Sequence, residues 1–197
     1  MEEPLRLAEE LAEVIRIAYS KGLTTGGGGN ASLRTSKGIL ITPTGKFKGK
    51  LRGEDILLID EEGNVLRGSG KPSTEWRMHV MTYKFRKDVR SILHCHHPLT
   101  TALTLSRTAS SLNEALKEYM TEEASILIGK LGVVPWKPFG TLELAEVVSE
   151  YLRDCNAVLI EKHGAVVVAE DHWRALAAME SLVEVLEIYF YSKLLDL

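Results

Sequence analysis

The sequence predicts an α/β fold in which a central, mainly antiparallel sheet lies between helical layers on both faces, an α/β/α sandwich, as one domain over residues 1–197. Three observations carry this. Short apolar runs alternate with stretches of helical spacing. The runs of the first half are joined by turns, whereas parallel pairing needs a crossover of about a dozen residues or more. A chain of 197 residues, 45% hydrophobic and 26% charged, can bury a substantial core without staples.

The elements follow in chain order. Leu7, Leu11, Val14, Ile15 and Ala18 recur at helical spacing over residues 4–20, with Gly22 suited to the stop. After T-T-G-G-G-G-N come the strands A-S-L-R, G-I-L-I-T, I-L-L-I-D and, beyond the turn at Glu62-Gly63, N-V-L-R. They read as a meander. P-S-T-E-W-R-M-H-V-M-T-Y-K-F returns to helical spacing, with Ser73 or Thr74 placed to cap its start. S-I-L-H-C-H is a further strand. Residues 99–131 are weakly patterned apart from A-L-K-E-Y-M-T-E-E-A, which reads as helical, and T-L-E-L-A-E-V-V-S-E-Y-L opens a clear helix at Thr141. N-A-V-L-I-E-K-H and A-V-V-V-A bracket Gly164 as two more strands, and a long apolar helix runs from about Asp171 to the C-terminus. No internal repeat interrupts the pattern.

Composition narrows the function. The net charge is -3 and Lys and Arg are scattered among acids, which argues against nucleic acid as a partner. No apolar stretch approaches the roughly 18 residues of a membrane span, and the acidic start M-E-E-P lacks the charge of a signal peptide, so a cytoplasmic location is expected. Cys95 and Cys155 read as buried thiols. Glutamine is absent and only four asparagines occur, a pattern compatible with selection against heat-labile amides.

The chemistry gathers at S-I-L-H-C-H-H-P-L-T. In a strand, residues i and i+2 share a face, so His94 and His96 project together while Cys95 and His97 point the other way. A catalytic metal needs a third protein ligand and an open position. His163 is the best candidate, since it ends an apolar strand and is followed by Gly164, where the backbone can turn closely. Two ordinary readings stand beside this: a buried structural role for His94 or His96, and Cys95 as a soft fourth ligand against the strand geometry. His97, before Pro98, reads as a strand end, and His79 and His172 as structural or surface residues. Glu75, at a helix start, either favours the helix dipole or serves as a proton acceptor beside a metal. E-x-x-x-H, Glu75 with His79, could itself form a metal pair and reads as coincidence. G-G-G-G-N (26–30), T-P-T-G (42–45) and P-S-T (72–74) offer backbone N–H groups and hydroxyls suited to a phosphate, though such residues also simply make turns. No Walker loop is present.

Taken in order, G-G-N-A-S-L-R, I-T-P-T-G, K-P-S-T-E-W-R-M-H, H-C-H-H-P and E-K-H-G-A resemble the class II aldolase/adducin family, with L-fuculose-1-phosphate aldolase-like enzymes most similar. The resemblance runs from about residue 5 to the last helix. It implies a divalent metal, usually zinc, held by His94, His96 and His163, with Glu75 as catalytic acid/base. It also implies that Gly29, Asn30, Thr44, Gly45, Ser73 and Thr74 hold the substrate phosphate, and that the protein is a homo-oligomer, typically a tetramer. The expected reaction is reversible cleavage of a ketose 1-phosphate to dihydroxyacetone phosphate and an aldehyde. Family aldolases also use a tyrosine as proton donor, a role with no clear match at Tyr119. Rival readings are a pentulose-phosphate 4-epimerase, a sugar-phosphate dehydratase, a metal-dependent hydrolase and a non-enzymatic adducin-like scaffold. A Schiff-base mechanism is disfavoured, because Lys71 and Lys162 lie in polar contexts.

Overall fold

The structure, a computed structural model, describes residues 3–106 and 111–195. The chain begins with α1 (Glu3–Ser20) and the meander β1 (Asn30–Thr35), β2 (Gly38–Ile41), β3 (Leu57–Ile59) and β4 (Val65–Arg67), with two 3-10 turns at Lys48–Lys50 and Gly53–Asp55. It continues through α2 (Trp76–Phe85), β5 (Ser91–Cys95), α3 (Pro98–Leu105), α4 (Leu112–Lys117), α5 (Glu122–Ile128) and β6 (Leu131–Val134). It closes with α6 (Leu142–Tyr151), β7 (Ala157–Ile160), β8 (Gly164–Ala169) and α7 (His172–Leu195). The last two residues of the predicted C-terminal helix lie outside the described residues.

Among the described residues the eight strands form one sheet in the order β4-β3-β2-β1-β5-β8-β7-β6. Period-2 alternation sends its side chains into two cores. On one face Ile39, Ile41, Ile92, Val158 and Val166 pack against Met78 and Val80 of α2 and Leu144 and Val148 of α6. On the other Leu33, Leu40, Leu93, Leu159 and Val167 meet α1, α3, α4, α5 and α7. Burial on both faces explains why β8 reads as an unbroken apolar run, G-A-V-V-V-A, instead of alternating. Each such fully buried aliphatic side chain stabilises the fold by about 1.5–3 kcal/mol.

The sheet is mixed, which corrects the expectation of a mainly antiparallel one. β6 runs parallel to β7, with Leu131 opposite Ala157 and Val134 opposite Ile160, and α6 supplies the crossover. The strand L-G-V-V was not anticipated, because a four-residue apolar run holding a glycine cannot be told from a helix fragment by periodicity. Two helix readings also change. A-L-K-E-Y-M-T-E-E-A is not one helix: α4 ends at Lys117, and Thr121 starts α5 by accepting a hydrogen bond from the Ala124 N–H at 3.1 Å. α2 is not capped by Ser73 or Thr74; Glu75 occupies the cap position without a side-chain cap bond, while Ser73 Oγ accepts from the Glu75 N–H at 3.3 Å. α6 does open at Thr141, whose hydroxyl accepts from the Leu144 N–H.

Candidate metal centre and active site

β5 lies at the middle of the sheet, and its pairing assembles the site. Directly paired residues share a face, so the β1–β5 register, Asn30 opposite His94, sets Asn30 beside His94 on the α2 side. Cys95 points into the opposite core, fully buried, and burial pushes its thiol pKa above the ordinary range. His97 caps α3, with Pro98 at the first helical position. Neither joins the histidine group.

His163 arrives through the turn between β7 and β8, where β8 pairs with β5 as Cys95 opposite Ala165. Gly164 makes this approach possible: a Cβ there would stand 2.3 Å from the Cys95 carbonyl oxygen. Gly164→Ala is therefore expected to destabilise the fold by about 1–3 kcal/mol through overpacking and to displace His163. Urea unfolding together with metal content checks this, and a variant with unchanged midpoint and unchanged metal content contradicts it. Gly29, at φ +70°, has the same role for the glycine loop, since a Cβ would lie 2.7 Å from the His94 carbonyl oxygen.

Three imidazoles and one carboxylate converge. His94 Nε2 lies 2.8 Å from His96 Nε2, 3.3 Å from His163 Nε2 and 3.3 Å from Glu75 Oε2, while His163 Nε2 lies 3.6 Å from Glu75 Oε1. One donor atom from each of the four residues falls within 4.8 Å of all the others. His94 Nδ1 donates to the Ala165 carbonyl oxygen at 2.8 Å, which in the neutral ring leaves the Nε2 lone pair facing the cluster. Glu75 is 7% exposed, and its Oε1 is buried with no hydrogen-bond partner. An orphaned carboxylate oxygen among inward-facing imidazole nitrogens is a donor set that fits a divalent cation of the zinc type.

The electrostatics follow from burial and crowding. Burial raises the Glu75 pKa, but the charge and hydrogen bond of His94, the charge of His163 and the Asn30 amide together hold it well below the carboxylate range. Burial opposes protonation of His94, yet the Glu75 carboxylate and the Ala165 carbonyl shift its pKa upward overall. Burial and the neighbouring His94 charge lower His96 to about 3 and His163 to about 4. Burial also lowers His79 to about 3, and lowers His97 and His172.

In the metal-free protein the unfolded chain takes up protons at these five histidines around their ordinary value of 6.5, where the folded form binds them less readily. The unfolded state then binds more protons, so stability rises with pH through that window. His94 has the opposite sign: its contribution is full below 6.5 and is lost as pH rises through its folded value, offsetting part of the gain. With chelator present, the urea midpoint is expected to be higher near about pH 7 than near about pH 5. An inverted order would show that the histidines are solvated.

Above the cluster lies a cleft of about 650 Å³. Gly29, Asn30, Thr44, Gly45, Ser73 and Thr74, the residues read as a phosphate cradle, all line it. Two of their segments are laced together by a bridge between Pro43 and Pro72, with the Ser73 N–H donating to the Thr42 carbonyl and the Thr44 N–H to the Lys71 carbonyl. Asn30 differs from the others: its side-chain amide is engaged by Glu75 and His79. His79, read as a structural or surface residue, is structural: it is fully buried within this network. The E-x-x-x-H spacing was the available signal, but it marks a hydrogen-bond relay and not a metal pair, because His79 lies outside the metal group.

Lys48 was missed. It lines the cleft at 3% exposure, its Nζ donating to the Lys46 carbonyl at 3.1 Å, and burial lowers its pKa. Lys137, Lys162, Trp136 and Phe139 complete one wall, so among the described residues three lysines line the cleft with the single carboxylate of Glu75. Tyr119 is not among the lining residues; its ring packs edge-on against Tyr189 of α7.

The Class II Aldolase and Adducin N-terminal domain matches residues 9–190. The chain is 35% identical over 178 residues to an L-fuculose phosphate aldolase of Methanococcus maripaludis, covering 90% of this chain and 93% of that protein. It is 33% identical over 183 residues to a 3-oxo-tetronate 4-phosphate decarboxylase of Haemophilus influenzae, covering 92% and 86%. The crystal structure of L-fuculose-1-phosphate aldolase from Thermus thermophilus superposes with a TM-score of 0.79 at 28% identity, over 97% of this chain and 96% of that one. With the fold, the cluster and a match over nearly its whole length in agreement, the chain belongs to the class II aldolase and adducin family.

Proposed function

We propose that this protein is a zinc-dependent aldolase that reversibly cleaves a ketose 1-phosphate of the L-fuculose 1-phosphate kind to dihydroxyacetone phosphate and an aldehyde. The observation that carries this is the meeting of His94, His96, His163 and Glu75 beneath a cleft lined by Gly29, Asn30, Thr44, Gly45, Ser73 and Thr74. His94, His96 and His163 would hold the cation. When bound, it supplies Lewis acidity, drawing charge onto the substrate oxygens beside the bond that breaks.

The chain's own residues do the rest. Backbone and hydroxyl donors of the cradle take the phosphate, and binding that remote group aligns the reacting carbons with the cluster. Glu75, present as a carboxylate, takes up at Oε1 the proton that the substrate hydroxyl loses as it becomes the aldehyde and delivers it to the carbon of the three-carbon fragment; condensation runs the same transfer in reverse. Trp136 and Phe139 at the rim lower water access. Phe139, which lines the cleft, and Leu142 at the start of α6 are 73% and 53% exposed, an apolar surface that supports assembly, for which we propose a homotetramer. The proposed setting is cytoplasmic carbohydrate metabolism by a single-domain enzyme; among the described residues no helix is long and apolar enough to cross a membrane.

Incubating the zinc-reconstituted protein with L-fuculose 1-phosphate tests the reading: aldehyde and dihydroxyacetone phosphate are expected. An epimer, a dehydrated ketone or free phosphate would each replace it with the corresponding activity. Absence of bound metal after reconstitution would favour a scaffold.

The lysine-rich wall favours a second reading, decarboxylation of a phosphorylated 3-oxo acid, whose carboxylate would meet Lys48. Lys48→Met separates the two. A charged hydrogen bond lost from the complex costs about 1.5–3 kcal/mol, so KM is expected to rise roughly 10- to 100-fold for a phosphorylated oxo acid. For a substrate that does not touch Lys48, KM stays unchanged.

A further inference from the structure

Glu75 is held by one oxygen. Asn30 Nδ2 donates to Oε2 at 2.9 Å, and Oε1 has no hydrogen-bond partner. Behind Asn30 a file of polar side chains is sealed between α2 and the sheet. Asn30 Oδ1 lies 2.5 Å from His79 Nε2, His79 Nδ1 lies 2.7 Å from Ser32 Oγ, and Ser32 Oγ lies 2.7 Å from the Tyr83 hydroxyl. Ser32 and His79 are fully buried, and Tyr83 and Asn30 nearly so. A structural core does not need such a file, since burying polar groups is costly unless each is paired.

The direction of every bond is set from the Glu75 end. A carboxylate only accepts, so the Asn30 amide nitrogen faces it and the amide oxygen faces His79. That oxygen also only accepts, so His79 carries its proton on Nε2. Its Nδ1 is then a bare lone pair and takes the Ser32 hydroxyl proton, so Ser32 Oγ meets the Tyr83 hydroxyl as an acceptor at 2.7 Å, and the Tyr83 proton is shared between Ser32 Oγ and the Arg90 carbonyl oxygen at 3.1 Å. Reversing the file would place the amide oxygen 2.9 Å from a carboxylate oxygen, acceptor against acceptor. Burial keeps the imidazole neutral, with a single ring N–H to place.

We propose that His79 is a positioning residue: as its Nε2–H tautomer it locks the Asn30 amide with N–H toward Glu75, pinning Oε2 and leaving Oε1 turned toward His163. Without that N–H the amide loses the partner that distinguishes its two ends. A flipped Asn30 would repel the carboxylate and swing Glu75 out of line with the cluster. The catalytic part of this inference rests on Glu75 being the reacting carboxylate of the proposed aldolase, whereas the tautomer does not.

Two experiments on the full-length, zinc-reconstituted protein test it. Nitrogen-15 histidine NMR of the wild type is expected to show His79 protonated at Nε2 alone; an Nδ1–H tautomer or an imidazolium overturns the proposal. This readout requires no turnover, so it stands or falls apart from the substrate assignment. In the second, His79→Met fills the site without a donor and His79→Gln restores an N–H near the Nε2 position. With L-fuculose 1-phosphate, kcat of H79M is expected to fall about 10- to 100-fold, the range for residues supporting a metal site, with KM and metal content little changed. H79Q should recover most of the loss. Wild-type kcat in H79M, or equal loss in the two variants, overturns the proposal; should H79M not fold, the tautomer measurement decides.

Discussion

Glu75→Gln is expected to reduce kcat by about 10²- to 10⁴-fold, the range that a positioned acid or base contributes, while fold and metal content persist. Glutamine keeps the length of the side chain and can still accept the Asn30 hydrogen bond through its amide oxygen. It cannot take up a proton at the atom that replaces Oε1. The three imidazoles remain, so metal measured after reconstitution should match the wild type. Turnover at the wild-type rate with full metal content would remove Glu75 from the chemistry and return it to the helix-start role that its position beside α2 also allows.

His96→Ala is expected to abolish stable metal binding and activity together. Losing a partner that merely orients a ligand costs about 10- to 100-fold in affinity, and losing the ligand itself should cost more than that. His96 lies past the end of β5, held in place partly by its N–H donating to the Thr24 hydroxyl at 3.4 Å, and is not fully buried. The alanine variant should therefore fold. Its urea midpoint should no longer respond to added zinc, because a cation stabilises only the state that binds it. Full occupancy by metal analysis in this variant would exclude His96 from the site.

Much of this architecture was legible locally. The alternation of S-I-L-H-C-H set His94 and His96 on one face and Cys95 on the other, and Cys95 does pack in the opposite core. The helix opening at Thr141 and the meander β1 to β4 could be read from caps and turns. The region 99–131 could not. α3 begins at a proline in the first helical position, a signal that was available, but α4, α5 and β6 are seven residues or fewer, too short for periodicity to declare them.

Other residues carried a sequence signal whose meaning changed with context. Asn30 reads as a member of the phosphate cradle after four glycines, and its amide is committed to Glu75 and His79. His79 reads as a structural or surface residue, and only its surroundings show which. Lys48 sits among K-F-K-G-K, where a lysine ordinarily faces water, and its burial follows only from how the Lys48–Lys50 turn folds against the glycine loop, with the Lys48 N–H donating to the Gly26 carbonyl.

By itself the sequence determined the local geometry: which side chains share a strand face, where helices open, and which glycines leave room for a close turn. Those properties depend on neighbours a few residues away. Only the tertiary structure decided that His163 reaches His94 across 69 residues, that β6 joins the sheet in parallel, and that a buried file runs from Tyr83 through Ser32, His79 and Asn30 to Glu75. These depend on register between strands far apart in the chain. Register is selected by burial of whole faces at once, so no local window contains it.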